Sequence, residues 1–396
     1  MHPYRRWLSY LLIFLVVQHI TIALWFDITK PPVHDEDHFV PTIHQFADHF
    51  NLETLRTYNE MNTPLPFAIY SGWGKLFGFQ TISLRLLSLL IALITYVLIH
   101  QLIFTVFASG RTAFWTTVFI AVHPYMMSLS LLIYTDMPAI GFSVWACLAM
   151  LRRRSVQTAV ALACAMLCRQ FAIVYVVAFA AGLLFEWCWY RRKDTAGMLI
   201  ACALSVLPLA GLCLLWGGLS PANVIGERYL SYPVAWHPAS FVLYVAQLSL
   251  YLLPVVVLRW QAIFSRPQVL AWAVAFSALA IIFPVRVSEV AKLHNAKTVG
   301  FFATWLHEVF ADPFMVNIVW LVLFIAGMAV LLTMLSKVIR KAASEQNILF
   351  ELIVLAFMMI MPLSYMRWEK YFMLILPAAC IAVLQTARSP RTDTSE

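Results

Sequence analysis

The fold of this chain is decided by one apolar run, residues 157–187, which reads QTAVALACAMLCRQFAIVYVVAFAAGLLFEW. Basic clusters flank it at Arg152–Arg154 and Arg191–Lys193, and Arg169 lies near its middle. Basic clusters beside apolar segments mark the cytoplasmic side of a membrane protein, so both flanks belong on that side. Two short helices that meet at Arg169 satisfy this rule. They also lift the guanidinium to the outer interface, away from the ~2.5–3.5 kcal/mol or more that arginine costs at mid-bilayer. One long tilted helix is the alternative.

The composition indicates a membrane protein throughout. Mean hydropathy is +0.81, and 62% of the residues are hydrophobic against 12% charged, values outside the range of soluble domains. The net charge of +8 comes from basic clusters between apolar segments, so no nucleic-acid partner is expected. The seven cysteines lie within or beside apolar segments and form no C-x-x-C pair, so neither a disulfide framework nor structural zinc is expected.

The apolar segments predict an all-α, polytopic transmembrane helical bundle of about 12 membrane segments (range 11–13), with both termini cytoplasmic. Besides the two short helices, the candidate spans are roughly 7–26, 82–107, 111–131, 134–151, 195–216, 239–258, 268–286, 314–336, 348–365 and 371–386. We expect a single domain, 1–396, that ends in a cytoplasmic tail, 387–396. Most acids and histidines then face the outer side, which indicates that the protein works at that face.

Residues 27–81 become a long extracytoplasmic loop, which contains the acidic stretch VHDEDHFVP, residues 33–41. The apolar spacing in FVPTIHQFADHF, residues 39–50, predicts an amphipathic helix with Pro41 in its first turn. Asp35, Glu36 and Asp37 then lie at or just before the N-terminus of this helix, where partial positive charge favours anions. A second amphipathic segment, PLPFAIYSGWGKLFG, follows at residues 64–78 and is expected along the interface.

Three adjacent acids beside a lipid surface need an explanation, because helix capping uses only one carboxylate. A solvated loop, a catalytic role, a metal and a cationic pocket all remain open at this point. His34 and His38 are four residues apart and flank the acids, as metal ligands do. No third ligand at a suitable spacing is evident, so neither a metal nor another cofactor is predicted.

The order of the motifs resembles the GT-C superfamily of membrane glycosyltransferases. The pieces are a first span, Asp35-Glu36 in a long outer loop, Asn62-Thr63-Pro64-Leu65-Pro66, and Ser83-Leu84-Arg85-Leu86-Leu87-Ser88 opening the next span. The broad pattern resembles the protein O-mannosyltransferases and aminoarabinose transferases. Three further pieces resemble more closely the family that adds the terminal α-1,2-glucose to dolichol-linked oligosaccharide. They are Asp35-Glu36 with Pro41, Tyr134-Thr135-Asp136, and Arg169-Gln170-Phe171-Ala172-Ile173-Val174. Near the end, Glu369-Lys370-Tyr371-Phe372 with Pro377 resembles that family's Glu-Pro-Arg-Tyr segment.

The chain departs from that family at two points. His38 precedes Phe39, where the family has an aromatic residue and then histidine. Lys370 stands where the family has arginine, and no proline precedes it. These departures bear on the identity of the sugar and acceptor more than on the type of reaction.

The resemblance implies transfer of a hexose from a polyprenyl-phosphate-linked donor to an acceptor hydroxyl on the extracytoplasmic face, with inversion at the anomeric carbon. Such a transfer needs a carboxylate to take the acceptor's proton and cations to stabilise the departing phosphate. Asp35 matches the family's catalytic acid and is the predicted general base. Glu36 and Asp37 are predicted to orient it or to raise its pKa through like charge.

The predicted ligands of the lipid phosphate or the sugar are basic and polar residues on the outer side. They are Arg169, Arg367, Lys370, Asp136, Gln170, Tyr134 and Arg228. Asp136 could also orient Arg169. An interfacial anchor is the alternative for Arg169, for Arg367 and Lys370, and for Arg85, where it is preferred.

A transporter or flippase of a lipid-linked or anionic substrate is the alternative function. The enzyme is preferred because few charges lie mid-span and the acids cluster in one outer loop. The acceptor, whether glycan, lipid or protein, remains open, and the remaining partners are membrane lipids. Compact loops favour a bacterial plasma membrane over the endoplasmic reticulum.

Overall fold

The protein is described by a computed structural model that covers residues 3–190, 195–221, 224, 235–288, 292, 297–341, 348–364 and 366–386. Every regular element within these residues is a helix, which confirms the predicted all-α class. The chain forms two compact units, Met1–Leu230 and Ser231–Glu396. The prediction of a single domain, 1–396, stays a prediction.

The first unit contains eleven α-helices among its described residues. They are α1 (Pro3–Phe26), α2 (Glu36–Asp48), α3 (Leu52–Thr57), α4 (Leu65–Phe77), α5 (Thr81–Phe107), α6 (Gly110–Ala121), α7 (Pro124–Leu131), α8 (Asp136–Leu151), α9 (Ser155–Cys168), α10 (Ile173–Tyr190) and α11 (Thr195–Trp216). The second unit contains α12 (Pro238–Leu250), α13 (Leu253–Leu258), α14 (Trp260–Phe264), α15 (Pro267–Ile282), α16 (Phe301–Val309), α17 (Pro313–Lys341), α18 (Leu349–Ile360) and α19 (Leu376–Gln385).

Five of the described helices are long and apolar enough to cross a membrane, and a bent pair would make a sixth. Six further apolar helices are only 10–17 residues long. At 1.5 Å per residue, a helix of 14 residues covers about 21 Å, less than the ~30 Å hydrocarbon core. The predicted segments are therefore present as apolar helices, and several of them are shorter than the prediction assumed.

The chain breaks at Arg169, as the flanking charges predicted. Helix α9 ends at Cys168, Arg169 is extended with φ −149° and ψ 121°, and a 3-10 turn, Gln170–Ala172, leads into α10. Helix α9 packs against α8 and α11, and α10 also packs against α11. The single long helix is thereby excluded, whereas the side of the membrane on which the turn lies stays a prediction.

Two predicted spans are broken at prolines. The span 111–131 is divided into α6 and α7, which meet at an angle of 75° where Pro124 begins α7. The span 239–258 is divided into α12 and α13, with Pro254 in the first turn of α13. Proline lacks an N–H donor and disfavours helical geometry in the preceding residue, so a new helix begins at each site.

Residues 27–81 form helices at both predicted amphipathic segments, α2 and α4, with the short α3 between them. Helix α2 packs against α4, and α4 packs in turn against α5 and α9. Aromatic rings join α2 to α4, with centroids 5.5 Å apart for Phe39 and Phe67 and 5.8 Å for Phe46 and Phe67. The Ser71 hydroxyl donates to the Ile43 carbonyl at 2.6 Å. This packing holds the helix that carries the acidic stretch against α4.

Candidate active site

The acidic stretch begins α2. Asp35 is the N-cap residue, but its side chain makes no capping hydrogen bond. The helix begins at Glu36, earlier than the apolar pattern indicated, so Pro41 lies in the second turn and the prediction of a first-turn proline is wrong. The helix tolerates this because only one N–H donor is lost and the face carrying Phe39 and Phe46 stays buried. The carboxylate of Asp35 therefore lies at the helix N-terminus without serving as its cap.

The three adjacent acids occupy different environments. Glu36 is completely buried, Asp35 is half-buried and Asp37 is exposed. His34 and His38 are both exposed. His34 has φ +55°, in the left-handed region, and this turn directs the chain into Asp35. Only one of the three acids is therefore buried in the fold, which the sequence pattern did not reveal.

Glu36 forms a buried ion pair with Arg85 on α5. Its Oε2 lies 2.5 Å from Nη2 of Arg85, and its Oε1 lies 3.1 Å from Nε. The same carboxylate accepts from the backbone N–H groups of Val33 at 3.0 Å and Ile133 at 2.9 Å. Arg85 is completely buried, so the preferred interpretation of it as an interfacial anchor is wrong. A buried carboxylate supplied a stronger partner than the lipid headgroups.

Tyr134 contacts Asp35. The Tyr134 hydroxyl is hydrogen-bonded to the Asp35 backbone, and burial, followed by the charges of Asp35 and Asp136, raises the pKa of Tyr134. Its ring packs edge-on against Phe39 with centroids 6.0 Å apart. Tyr134 is therefore a neutral, fixed neighbour of the predicted base.

Asp136 and Arg169 form a second ion pair. Asp136 Oδ2 lies 2.5 Å from Arg169 Nη2, and the Asp136 and Arg169 side chains are 11% and 8% exposed. Arg169 Nη1 donates to Asn62 Oδ1 at 2.5 Å. The hydroxyl of Tyr58 holds the Asn62 carbonyl at 2.6 Å, and Thr63 donates to the carbonyl of Met166 at 2.9 Å. The loop that carries Asn62 and Thr63 is thus tied to the turn at Arg169. Asp136 contacts Arg169 directly, and its role in orienting that guanidinium stays a prediction.

Gln170 joins three parts of the first unit. Its Nε2 donates to the carbonyls of Met61 at 2.5 Å and Leu219 at 3.0 Å. Both amide hydrogens are thereby engaged with backbone. The predicted role of Gln170 in substrate binding stays a prediction, and the contacts support a structural one.

The second unit carries two of the predicted phosphate ligands, Arg367 and Lys370. Both side chains are half-buried, and Arg367 donates to the carbonyl of Arg286 at 3.2 Å. Between them, the buried carboxylate of Glu369 accepts from Phe302 N and Ala303 N at 2.9 Å each, at the N-terminus of α16. An anion is favoured there by the helix dipole, so Glu369 fixes this segment. Arg228 lies outside the described residues.

One stretch of the chain matches a known family. Residues 63–200 match the model of the DIE2/ALG10 family. This stretch includes the Thr63–Pro66 segment, Arg85, the Tyr134–Asp136 motif and the Arg169 turn, whereas Asp35 and Glu369 lie outside it. Over these residues, the match confirms the closer of the two resemblances that the motifs predicted.

The other comparisons are more distant. The chain is similar to the crystal structures of ArnT from Cupriavidus metallidurans in the apo state and bound to undecaprenyl phosphate. The identity is 14% in both cases, the TM-scores are 0.44 and 0.43, and the similarity covers 96% of this chain and 77% of ArnT. A search of the curated proteins finds no match.

Two partners of the site residues were not predicted from the sequence. Arg85 was noted at the head of its span, but nothing in the spacing connects it to Glu36, 49 residues away. Asn62 directly precedes Thr63-Pro64, and a polar residue at this position is the signal from which a contact with Arg169 could have been proposed. Among the described residues, no group of three or more His, Cys, Asp or Glu side chains could hold a metal ion.

Proposed function

We propose that this chain transfers a hexose from a polyprenyl-phosphate-linked donor to an acceptor hydroxyl on the extracytoplasmic face of its membrane, with inversion and with Asp35 as general base. The family match supports a GT-C glycosyltransferase, and the local geometry supports the assignment of the base.

The observation that carries the proposal is the position of Asp35. Its side chain is half-buried and does not cap α2, and its backbone is held by Tyr134. The turn that supplies Tyr134 continues into Asp136, which is paired with Arg169. An inverting transfer requires a carboxylate that takes a proton and a cation that stabilises the leaving phosphate. Asp35 supplies an accessible carboxylate. Arg169 supplies the guanidinium, which is fixed by Asp136 in the turn that also contains Tyr134.

The proposed reaction is a displacement at the anomeric carbon of the donor. The acceptor oxygen attacks the anomeric carbon, and its proton passes to the carboxylate of Asp35. The bond between that carbon and the phosphate oxygen breaks, and the leaving group departs as polyprenyl phosphate. Developing negative charge on the phosphate is stabilised by cations, for which Arg169 is the first candidate in the first unit.

Arg367 and Lys370 are proposed as further phosphate or sugar ligands. They flank Glu369, whose buried carboxylate holds the intervening backbone to the start of α16. The acceptor is a glycan, a lipid or a protein, and the proposed location is a bacterial plasma membrane.

The test is a transfer assay with purified protein, labelled polyprenyl-phosphate hexose and extracted membranes as acceptor. Asp35→Asn is expected to lower transfer by about 10²–10⁴-fold because the general base is lost. The control is Asp48→Asn, which neutralises an exposed carboxylate at the other end of α2 and should retain wild-type activity. Equal activity in Asp35→Asn would contradict the assignment of the base. Absence of transfer from any such donor by the wild type would favour the transporter.

A second variant tests the cation. Arg169→Gln should raise KM for the labelled donor about tenfold or more, since a charge-assisted hydrogen bond to the phosphate contributes roughly 1.5–3 kcal/mol. An unchanged KM would remove Arg169 from the list of phosphate ligands.

A further inference from the structure

The ion pair between Glu36 and Arg85 has no remaining hydrogen-bonding capacity. The Glu36 carboxylate accepts four hydrogen bonds: two from Arg85 and one each from Val33 N and Ile133 N. A carboxylate offers about four acceptor positions, so all are occupied. Glu36 is also completely buried. It therefore has no position at which to accept a proton from a substrate hydroxyl.

Arg85 is saturated in the same way. Nε and one Nη2 hydrogen serve Glu36, while the remaining donors serve backbone carbonyls. Those carbonyls belong to Ile28 at 2.9 Å, Lys30 at 2.7 Å and Pro31 at 3.1 Å. A guanidinium has five N–H donors, and all five are used. Arg85 consequently has no donor available for a phosphate.

The pair connects three segments that do not otherwise share a secondary structure. Arg85 binds the chain at residues 28–31, just after α1, and belongs itself to α5. Glu36 binds Ile133, the residue before Tyr134. Asp35 directly precedes Glu36, and the Tyr134–Asp136 turn directly follows Ile133. The hydrogen bond from Ile133 to Glu36 therefore joins the segment of Asp35 to the turn that contains Asp136.

We infer that Glu36 and Arg85 are a positioning pair for the transfer reaction: they fix the base, Asp35, relative to the Asp136–Arg169 pair. This inference rests on the proposed function. It replaces the sequence hypothesis that Glu36 tunes the pKa of Asp35 by repulsion, because Arg85 neutralises the Glu36 charge at 2.5 Å. It also separates Glu36 from the catalytic residues, since its buried carboxylate has no acceptor position left for a substrate proton.

The decisive variant is Glu36→Gln, which keeps the size of the side chain and replaces one acceptor oxygen by an N–H₂ group. That group faces N–H donors, so the segments must move apart. Displacement of a reacting group by about 1 Å can lower the rate 10²-fold. We expect kcat to fall about 10²-fold with KM for the donor unchanged, because the Arg169 pair is left in place.

The pH profile distinguishes positioning from direct catalysis. If Glu36 only positions Asp35, the acidic limb of kcat in Glu36→Gln keeps the wild-type midpoint while the plateau falls. Loss of that limb would identify Glu36 as the base and overturn the inference.

A matched control separates positioning from a loss of folding. Glu351 is also completely buried and paired, in its case with Lys337 in the second unit. Glu351→Gln should lower thermal stability as Glu36→Gln does, but kcat per folded molecule should stay near the wild-type value. An equal fall of kcat in both variants would overturn the inference.

Arg85→Lys supplies an independent test, because it keeps the charge and loses the five-donor fork. Its loss of kcat should match that of Glu36→Gln, and the double variant should lose no more than either single variant. Full kcat in Glu36→Gln, with Asp35→Asn inactive, would refute the positioning pair and leave the proposed function intact. Absence of transfer by the wild type would refute the proposed function itself.

Discussion

The Asp136–Arg169 pair should be strongly coupled, and a double-mutant cycle measures that coupling. The two side chains are 11% and 8% exposed and meet at 2.5 Å, so neither charge can be hydrated when its partner is removed. Removing one partner of a buried ion pair costs about 3–5 kcal/mol because an uncompensated buried charge remains. We therefore expect Asp136→Asn and Arg169→Gln each to destabilise the first unit by roughly that amount.

The double variant should lose less than the sum of the single variants, because no charge remains buried. A coupling energy of about 2–3 kcal/mol is expected, at the upper end of the range for contacting residues. In detergent, each single variant should lower Tm by roughly 6–20 °C, at about 2–4 °C per kcal/mol for a unit of this size. The assay is thermal unfolding of the purified full chain, with each variant compared at one protein and detergent concentration.

Arg153 and Glu186 provide the control pair. Their atoms also meet at 2.5 Å, but the side chains are 29% and 27% exposed. Water screens such a pair, so its coupling should be about 0–1 kcal/mol. Additive losses at Asp136 and Arg169, within about 0.5 kcal/mol, would refute the reasoning that burial makes this pair strong.

Two further predictions concern the surroundings of Asp35. His34→Gly should retain transfer activity within about twofold, since glycine adopts the φ of +55° without strain, whereas His34→Val should lose roughly 1–2 kcal/mol of stability; loss of transfer in the glycine variant, with sensitivity to chelators, would instead indicate a metal ligand. Tyr134 has a raised pKa when folded, so above about pH 10 only the unfolded chain releases its proton, and stability falls as pH rises. Tyr134→Phe should therefore show a smaller decrease of Tm between pH 9 and 11 than the wild type; equal slopes would contradict the buried position of the hydroxyl.

The helices were predictable from the sequence to within a few residues where an apolar run alone defines them. The predicted span 195–216 coincides with α11. The break at Arg169 followed from the placement of charges, because one long helix would put the two basic flanks on opposite sides of the membrane and an arginine at mid-bilayer. Breaks at Pro124 and Pro254 were missed, since apolar periodicity continues across a proline while the backbone does not.

The partners of the site residues were not predictable to the same degree. The sequence placed Asp35, Asp136 and Arg169 on one side of the membrane, but their pairing depends on how three separate segments pack. Glu36 and Arg85 are 49 residues apart, and Arg169 and Asn62 are 107 apart. No local pattern encodes a contact of that separation, and only the fold can bring such residues together.

The arrangement of charges gives a physical reason to expect positioning in place of simple stabilisation. Desolvating two ions costs several kcal/mol each, so a buried pair adds little net stability compared with apolar side chains of similar volume. The first unit nevertheless contains two such pairs, Glu36–Arg85 and Asp136–Arg169, joined by the short segment from Ile133 to Asp136. What buried, hydrogen-bonded pairs supply is a fixed geometry, because moving either partner leaves a charge without its hydrogen bonds. Asp35 is the neighbour of Glu36 in sequence, its backbone is hydrogen-bonded to Tyr134, and its side chain is only half-buried. This is the arrangement that the proposed role of Asp35 requires, since a proton acceptor needs a fixed backbone and an accessible carboxylate.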